Sequence, residues 1–211
     1  LLGAAIFMLG FKTMMNITDS NVIDVGYAGV IGAQRIATGV VPYGNFPVEL
    51  GKPCGPADAD GEIRNRIQTN GRCESANPQG DTYGPVAYEA YLPGFLALGW
   101  TGKWDDLPAA HFSSIGFDLL CILGLALVGL RFGGTRLAVT LAFAWVAYPF
   151  TQYVSNSNTN DALVPLFLIW GFWLVTSPVA RGAIRSAGEG SAPLVERKPE
   201  PPWASRRVHP Q

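Results

Sequence analysis

The residues able to do chemistry in this sequence stand at the edges of apolar runs or inside them. They fall into four groups: Asp24; Tyr83 with Glu89; His111 with Asp118; and Asn156, Asn158, Asn160 and Asp161 in the stretch SNSNTND. Asp118 carries the strongest physical signal, because an ionisable group inside an apolar segment is costly and usually faces a cavity. It serves equally well as a hydrogen-bond partner for a neighbouring helix. The Asn run reads first as a capped helix start, with Asn158 or Thr159 as N-cap, whatever else its amides bind. His111 reads as an interfacial residue. Metal chemistry has little to build on. Asp58, Asp60 and Glu62 in DADGE offer carboxylate oxygens to a hard cation, but the spacing completes no calcium loop and reads as a solvated acidic turn. The two His are isolated, and no Walker loop, zinc-ligand spacing or Gly-x-Ser-x-Gly elbow occurs.

The element that has to present Asp24 is the stretch TDSNVIDVGYAGVIGAQRIATGVVPY at 18–43. Asp19, Ser20 and Asn21 are good N-cap residues, the helical pattern runs over 22–39, and Pro42 marks the exit. Asp24 then lies in the first turn, where the macrodipole favours an anion even if it is simply solvated. At helical spacing Asp24, Tyr27, Ile31 and Arg35 share one side, while Val22, Val25, Gly29, Ala33, Ile36 and Val40 form an apolar one. That is the pattern of an amphipathic interfacial helix. Gly26, Gly29 and Gly32 recur at every third position, which lowers helix propensity but lets another backbone or a membrane surface come close.

Composition makes the whole an all-α membrane protein: 48% of residues are apolar, 15% are charged, and the Trp residues sit beside the long apolar runs. A net charge of −1, with Arg mostly in short turns and the tail, speaks against a nucleic-acid surface. Spans are expected at 1–15, 110–130, 137–153 and 160–177. The first covers only about 22 Å of a hydrocarbon core of about 30 Å, so with Leu1 opening the chain it is expected to be truncated. Between 16 and 109 lies a large loop with a second juxtamembrane helix at 85–100. It is interrupted by Glu89 and Pro93 and edged by Tyr83, Tyr88, Tyr91 and Trp100, whose rings suit the headgroup level.

Arg131 and Arg136 bracket the FGG turn and Arg181 and Arg185 follow the last span, whereas SNSNTN has no Lys or Arg. The positive-inside rule then places the Arg turns in the cytoplasm, with the 16–109 loop and the Asn turn exoplasmic. The rival topology lets 85–100 cross and inverts every later turn. Cys54 and Cys73 in an outer loop read as a disulfide, with two thiols as the alternative. The Pro, Arg and Glu-rich segment 178–211 reads as a disordered cytoplasmic tail.

The order DVGYAGVIGAQRIATGVVPYG, GDTYGPVAYEAYLP, FDLLCILGLALVGLRFGG and AYPFTQYVSNSNTNDALV resembles the N-terminal half of the polytopic GT-C glycosyltransferases. Within that class it is most similar to glycosyltransferase family 87, the polyprenyl-phosphate-mannose-dependent mannosyltransferases, over 16–177. The resemblance implies a GT-C-like fold in the plasma membrane. It also implies transfer of a hexose, mannose first, from a polyprenyl-phosphate donor to an exoplasmic glycan or glycolipid acceptor, with inversion. Asp24 matches the acidic residue of the first exoplasmic loop that acts as catalytic base. Tyr83-Gly84-Pro85 stands where the family has Tyr-Pro-Pro, with Gly in place of the first Pro. A sugar on a polyprenyl phosphate already carries a good leaving group, so one carboxylate to take the acceptor proton suffices. Arg35, Lys103 and His111 would meet the leaving phosphate. Tyr83, Glu89, Asp118, Asn158, Asn160 and Asp161 would bind sugar or acceptor. No cofactor is called for, with a divalent cation as an option.

GT-C enzymes continue through further spans after the NTND helix, whereas this chain turns polar, which predicts a truncated, frame-shifted or partial product. Two other readings stand beside the enzyme. A transporter fragment would use Asp118 and Asp161 as a cation or proton path, and would predict an internal repeat that the sequence does not show. A non-catalytic remnant is the other.

Overall fold

Helix α1, Leu2–Asp19, is held to the rest of the protein by polar side chains. Its buried residues are Ala5, Lys12 and Asn16, on one face at helical spacing, while Ile6, Phe7, Phe11, Met14 and Ile17 are exposed. The helix does not stop at Asn16 as the sequence suggests. Thr18 Oγ1 donates to the Met14 carbonyl and Ser20 Oγ to that of Asn16, so carbonyls near the helix end are satisfied locally and the last turn continues to Asp19.

The computed structural model describes residues 1–43, 54–55, 57, 61, 63–67, 71, 73–75, 83–104 and 106–178. The acidic turn of Asp58, Asp60 and Glu62, the cations Arg181 and Arg185, and the tail expected to be disordered all lie outside the described residues, Pro178 apart. The chain divides into two compact units, Leu1–Trp173 and Leu174–Gln211. The described part of the second is the end of the last helix and a turn closed by the Ser177 N–H on the Leu174 carbonyl at 3.0 Å.

Helix α2, Asp24–Ala37, starts later than its N-cap candidates predict. The N–H groups of Asn21 and Ile23 are bonded to the carbonyls of Asn156 and Ser157 at 3.1 and 3.3 Å, which holds this stretch outside the helix. Nor is α2 an interfacial helix. Every residue from Gly26 to Ala33 is buried, and Tyr27 and Ile31, on the side read as chemical, are each 1% exposed. The Gly spacing explains why. A Cβ on Gly26 would stand 2.6 Å from the Asn158 carbonyl oxygen, one on Gly29 2.5 Å from the Tyr91 ring, and one on Gly32 would strike the Tyr88 ring. The three glycines are sockets, and what enters them is protein.

The segment expected as one helix at 85–100 is two, α3 at Pro85–Glu89 and α4 at Leu92–Leu98, with Pro93 in the first turn of α4, where a missing N–H costs little. At about 8 and 10 Å long, neither has the length to cross a bilayer. Tyr88 and Tyr91 do not form an exposed aromatic edge; they are 1% and 0% exposed, seated in the α2 sockets. Within the preceding loop, β1 (Asn65–Ile67) and β2 (Cys73–Ser75) form a small antiparallel hairpin with Arg66 opposite Glu74, an addition to the expected all-helical fold. The hairpin's approach places the Arg64 guanidinium 5.4 Å from the Trp104 ring centre, and Trp104 in turn stacks on Tyr27 at 4.0 Å with planes 2° apart. Trp104 Nε1 donates to the Val22 carbonyl at 2.6 Å.

Helix α5, Pro108–Ala147, is the one helix among the described residues long and apolar enough to cross a membrane, judged by length and composition. It is not straight. Gly134 has φ 67° and ψ −162°, a conformation that is essentially glycine's alone. The helix folds back there: Gly129 packs directly on the Ala138 backbone, and the side chains of Asp118 and Trp145 meet. The arms, 108–133 and 135–147, meet at the Arg-bracketed FGG turn that the sequence marks. Pro149 ends the second arm at Tyr148 and opens α6, Pro149–Asn156. Helix α7, Leu163–Val175, follows, about 20 Å long. The result is a mostly α-helical fold whose core is α2 packed by α3, α4 and the start of α5.

Candidate functional site

The six-residue segment from Asn156 to Asp161 meets several of the polar candidates, because it runs from the end of α6 past the start of α2 to the start of α7. Its pivot is Asn158, which is fully buried and has φ 54°, the only positive φ among described residues other than glycine. Asn tolerates this region because its short amide bonds locally. Here Asn158 Oδ1 accepts from Asn16 Nδ2 at 2.8 Å, and Asn158 Nδ2 donates to Ser20 Oγ and the Asn21 carbonyl, each at 2.9 Å. Asn16 Nδ2 also donates to the Ser155 carbonyl at 2.5 Å, and Tyr91 Oη to the Asn158 carbonyl at 3.3 Å.

His111 belongs to the same knot, with Nδ1 3.0 Å from the Asn16 carbonyl, 3.2 Å from Asn16 Oδ1 and 3.3 Å from Ser20 Oγ. Asn158 is therefore the buried hub tying α1 to α2, not the N-cap of α7, and its amide is fully used. Asn158→Ala removes three hydrogen bonds and adds a conformational penalty of about 1–2 kcal/mol, whereas Asn158→Gly removes the bonds alone. Thermal melts in detergent should rank wild type above Asn158→Gly, and that above Asn158→Ala.

Asp118 is likewise engaged by protein. Lys12 Nζ lies 2.7 Å from its Oδ1, with the two side chains 1% and 9% exposed, and Trp145 Nε1 donates to the same oxygen at 2.7 Å. Of the two roles open to Asp118, helix-to-helix bonding is the one its contacts support. Lys12 and Asn16 are the residues that sequence reading passed over. The signal was there: Lys12 is the one charge inside the apolar run 1–15, four residues before Asn16 on the same helical face.

Beyond the knot the segment opens into a cleft of about 310 Å³. Tyr83, Asn160 and Asp161 line its polar side, and Val86, Val164 and Phe167 its apolar side. Three of the sequence candidates thus come together. Asp161 is exposed, and its Oδ2 accepts from Thr159 Oγ1 at 2.8 Å. Asp24 stands outside the lining of this cleft, at the start of α2 beside the Ile23 N–H bond to the Ser157 carbonyl, and half-buried. Its Oδ1 accepts the Val25 N–H at 3.0 Å, which holds the carboxylate against the first turn.

The other candidates are dispersed. Arg35 is at the far end of α2, about 16 Å along the axis from Asp24, where its Nη1 donates to the Tyr43 carbonyl at 3.0 Å. Burial pushes its guanidinium below the ordinary value, with Tyr27 and Tyr88 opposing the shift. Glu89 and Lys103 are exposed, and His111 borders a separate groove with Asp106 and Phe112. Cys54 and Cys73 are both half-buried near β1, where the Gly55 N–H bonds the Asn65 carbonyl at 3.2 Å and Cys73 stands opposite Ile67. Among the described residues no group of three or more His, Cys, Asp or Glu is placed to hold a metal ion. No family model matches the chain, and no match was found among curated proteins or among solved structures.

Proposed function

We propose that this chain functions in a membrane glycosyltransferase that moves a hexose, mannose first among candidates, from a polyprenyl-phosphate donor to an exoplasmic acceptor. The observation that carries this reading is the two-sided cleft, in which Tyr83, Asn160 and Asp161 face Val86, Val164 and Phe167. The polar side offers a carboxylate and an amide to sugar hydroxyls, and the apolar side offers contact to a hydrocarbon chain. A sugar joined to a hydrocarbon chain uses both. On this reading the two arms of α5 and helix α7 are spans, the Arg131–Arg136 turn is cytoplasmic, and α2 to α4 with the hairpin lie outside.

In the reaction a carboxylate takes the proton of an acceptor hydroxyl, whose oxygen attacks the anomeric carbon. The bond from that carbon to the phosphate oxygen breaks, and the phosphate leaves with the electron pair, inverting the centre. Asp24 is assigned the proton and Asp161 the sugar hydroxyls. The test is transfer of labelled mannose from polyprenyl-phosphate-mannose by membranes carrying the chain. Asp24→Asn should lower kcat by about 10²–10⁴-fold at unchanged membrane abundance, and Asp161→Asn should chiefly raise KM. The reverse pattern reassigns the base to Asp161. Absence of transfer by the wild-type chain at normal abundance sinks the reading.

A further inference from the structure

Helix α6 is built the wrong way round for a helix in water. Its inner face is Thr151, Val154 and Ser155, which are 7%, 7% and 4% exposed, and its outer face is Pro149, Phe150 and Tyr153. The two sets follow the three- and four-residue spacing of a helix, so hydroxyls turn inward and rings outward. Tyr148, at the break from α5, joins the outer row. Tyr148, Phe150 and Tyr153 are 58%, 54% and 63% exposed, and their ring centres follow one another at 6.3 Å. Such a row presents roughly 300 Å² of ring surface, the size of exposed apolar patch that often serves as a contact surface.

What covers the row is set by its neighbours. Helix α1, which packs against α6, has the same inversion: Lys12 and Asn16 are buried, while Phe7, Phe11 and Met14 are exposed. The two helices come from distant parts of the chain, joined by the Asn16 bond to the Ser155 carbonyl, and a single apolar surrounding accounts for both. The second arm of α5 runs directly into the row. Counted from Gly134, Tyr148 lies about 21 Å of helical rise away and Tyr153 about 28 Å, against a hydrocarbon core of about 30 Å. With the Arg131–Arg136 turn at one edge of that core, the row stands toward the opposite edge. At that level a tyrosine puts its ring among acyl chains and its hydroxyl among headgroups. Just beyond the row the chain turns polar, in the segment Asn156 to Asp161. We infer that the row of Tyr148, Phe150 and Tyr153 is an aromatic anchor against the lipid bilayer, seated at the boundary between acyl chains and headgroups on the side away from the Arg turn. The inference rests on the membrane reading of α5 and not on sugar transfer. Because Asn160 and Asp161 follow α6 closely and line the cleft, the anchor sets the height of the cleft in the bilayer.

The experiment places a fluorescent label on the row. Phe150→Cys and Tyr153→Cys each carry a bimane, in the full chain reconstituted in phosphatidylcholine vesicles, with the identically treated unsubstituted chain as the blank for Cys54, Cys73 and Cys121. The vesicles contain lipids with a nitroxide quencher either high on the acyl chain or near its end. Leu123→Cys, exposed on the first arm of α5 at about 16 Å of helical rise from Gly134, is the reference for the bilayer centre. Lys103→Cys, exposed between α4 and α5, is the reference for water. Both α6 labels should lose more emission to the high nitroxide than to the deep one, Leu123 the reverse, and Lys103 little to either. Three results would overturn the inference while Leu123 still quenches: water-like, unquenched emission at both α6 positions; stronger quenching there by the deep nitroxide; or blue-shifted emission that neither lipid quenches, the sign of a second copy or another protein over the row. If the Leu123 label also escapes both quenchers, the membrane reading of α5 falls together with the anchor.

Discussion

Lys12→Met is expected to destabilise the protein by about 3–5 kcal/mol, the range for removing one partner of a buried ion pair. The pair is one of the two polar contacts that seat α1, beside the Asn16 knot: Lys12 and Asp118 are 2.7 Å apart and nearly inaccessible, and the opposite face of α1 is exposed. With Lys12 gone, Asp118 keeps only the Trp145 indole as a donor, which bonds the carboxylate but does not neutralise it. Asp118→Leu should cost as much, for the mirror reason. The pair replaced together, Lys12→Met with Asp118→Leu, should recover most of the loss, because an apolar pair of similar volume avoids both desolvation costs. Denaturation in detergent of the four proteins measures the coupling directly. Single variants that lose less than about 1 kcal/mol, the range of exposed pairs, would show that water reaches Asp118 in place of Lys12.

Gly32→Val should be nearly as damaging. Even a methyl group at this position meets the Tyr88 ring, and Tyr88 is 1% exposed. Overpacking of this kind costs about 1–3 kcal/mol, and the isopropyl group belongs at the upper end. Gly32→Ala is the milder case, since relief of the glycine penalty returns about 1 kcal/mol. The control is Gly10→Ala on α1, where a Cβ meets nothing within 4 Å and the helix-propensity gain stands alone. Gly10→Ala should therefore be neutral or stabilising. If Gly32→Val and Gly10→Ala melt alike, Tyr88 is not seated in that socket.

The turn at Gly134 was legible because it combines glycine, flanking Arg and an apolar run on either side, all local signals. The break before α6 was not foreseen, although Pro149 marks it. The placement of α2 was illegible for a different reason. Small residues at every third position suit a helix against a membrane surface and a helix against other protein equally, and the occupants, Tyr88 and Tyr91, come from a segment far along the chain. The same ambiguity hid the aromatic residues: a Tyr with an apolar flank reads as interfacial until its socket is known.

Asn158 was legible as a polar residue at a helix boundary, and capping was the sensible reading. Its hub role depends on Asn16, Ser20 and Asn21, which no local pattern connects to it. In the candidate site, Tyr83, Asn160 and Asp161 share a cleft because α3 and the start of α7 are neighbours, a matter of tertiary packing. Glu89, at the end of α3, is on its exposed side, since Tyr88 beside it takes the buried one.

The Lys12–Asp118 pair spans 106 residues of sequence. Ribosomes add about 5–20 residues per second, so the lysine is born roughly 5–20 s before its counter-charge. If α1 enters a bilayer, it does so through this interval with an uncompensated ammonium, whose long side chain must reach back to the water layer. Seating of α1 then has to wait for residue 118 to leave the exit tunnel. A segment made well before residue 118 is locked only after it, and a pause or a break in translation before that point leaves it without its anchor.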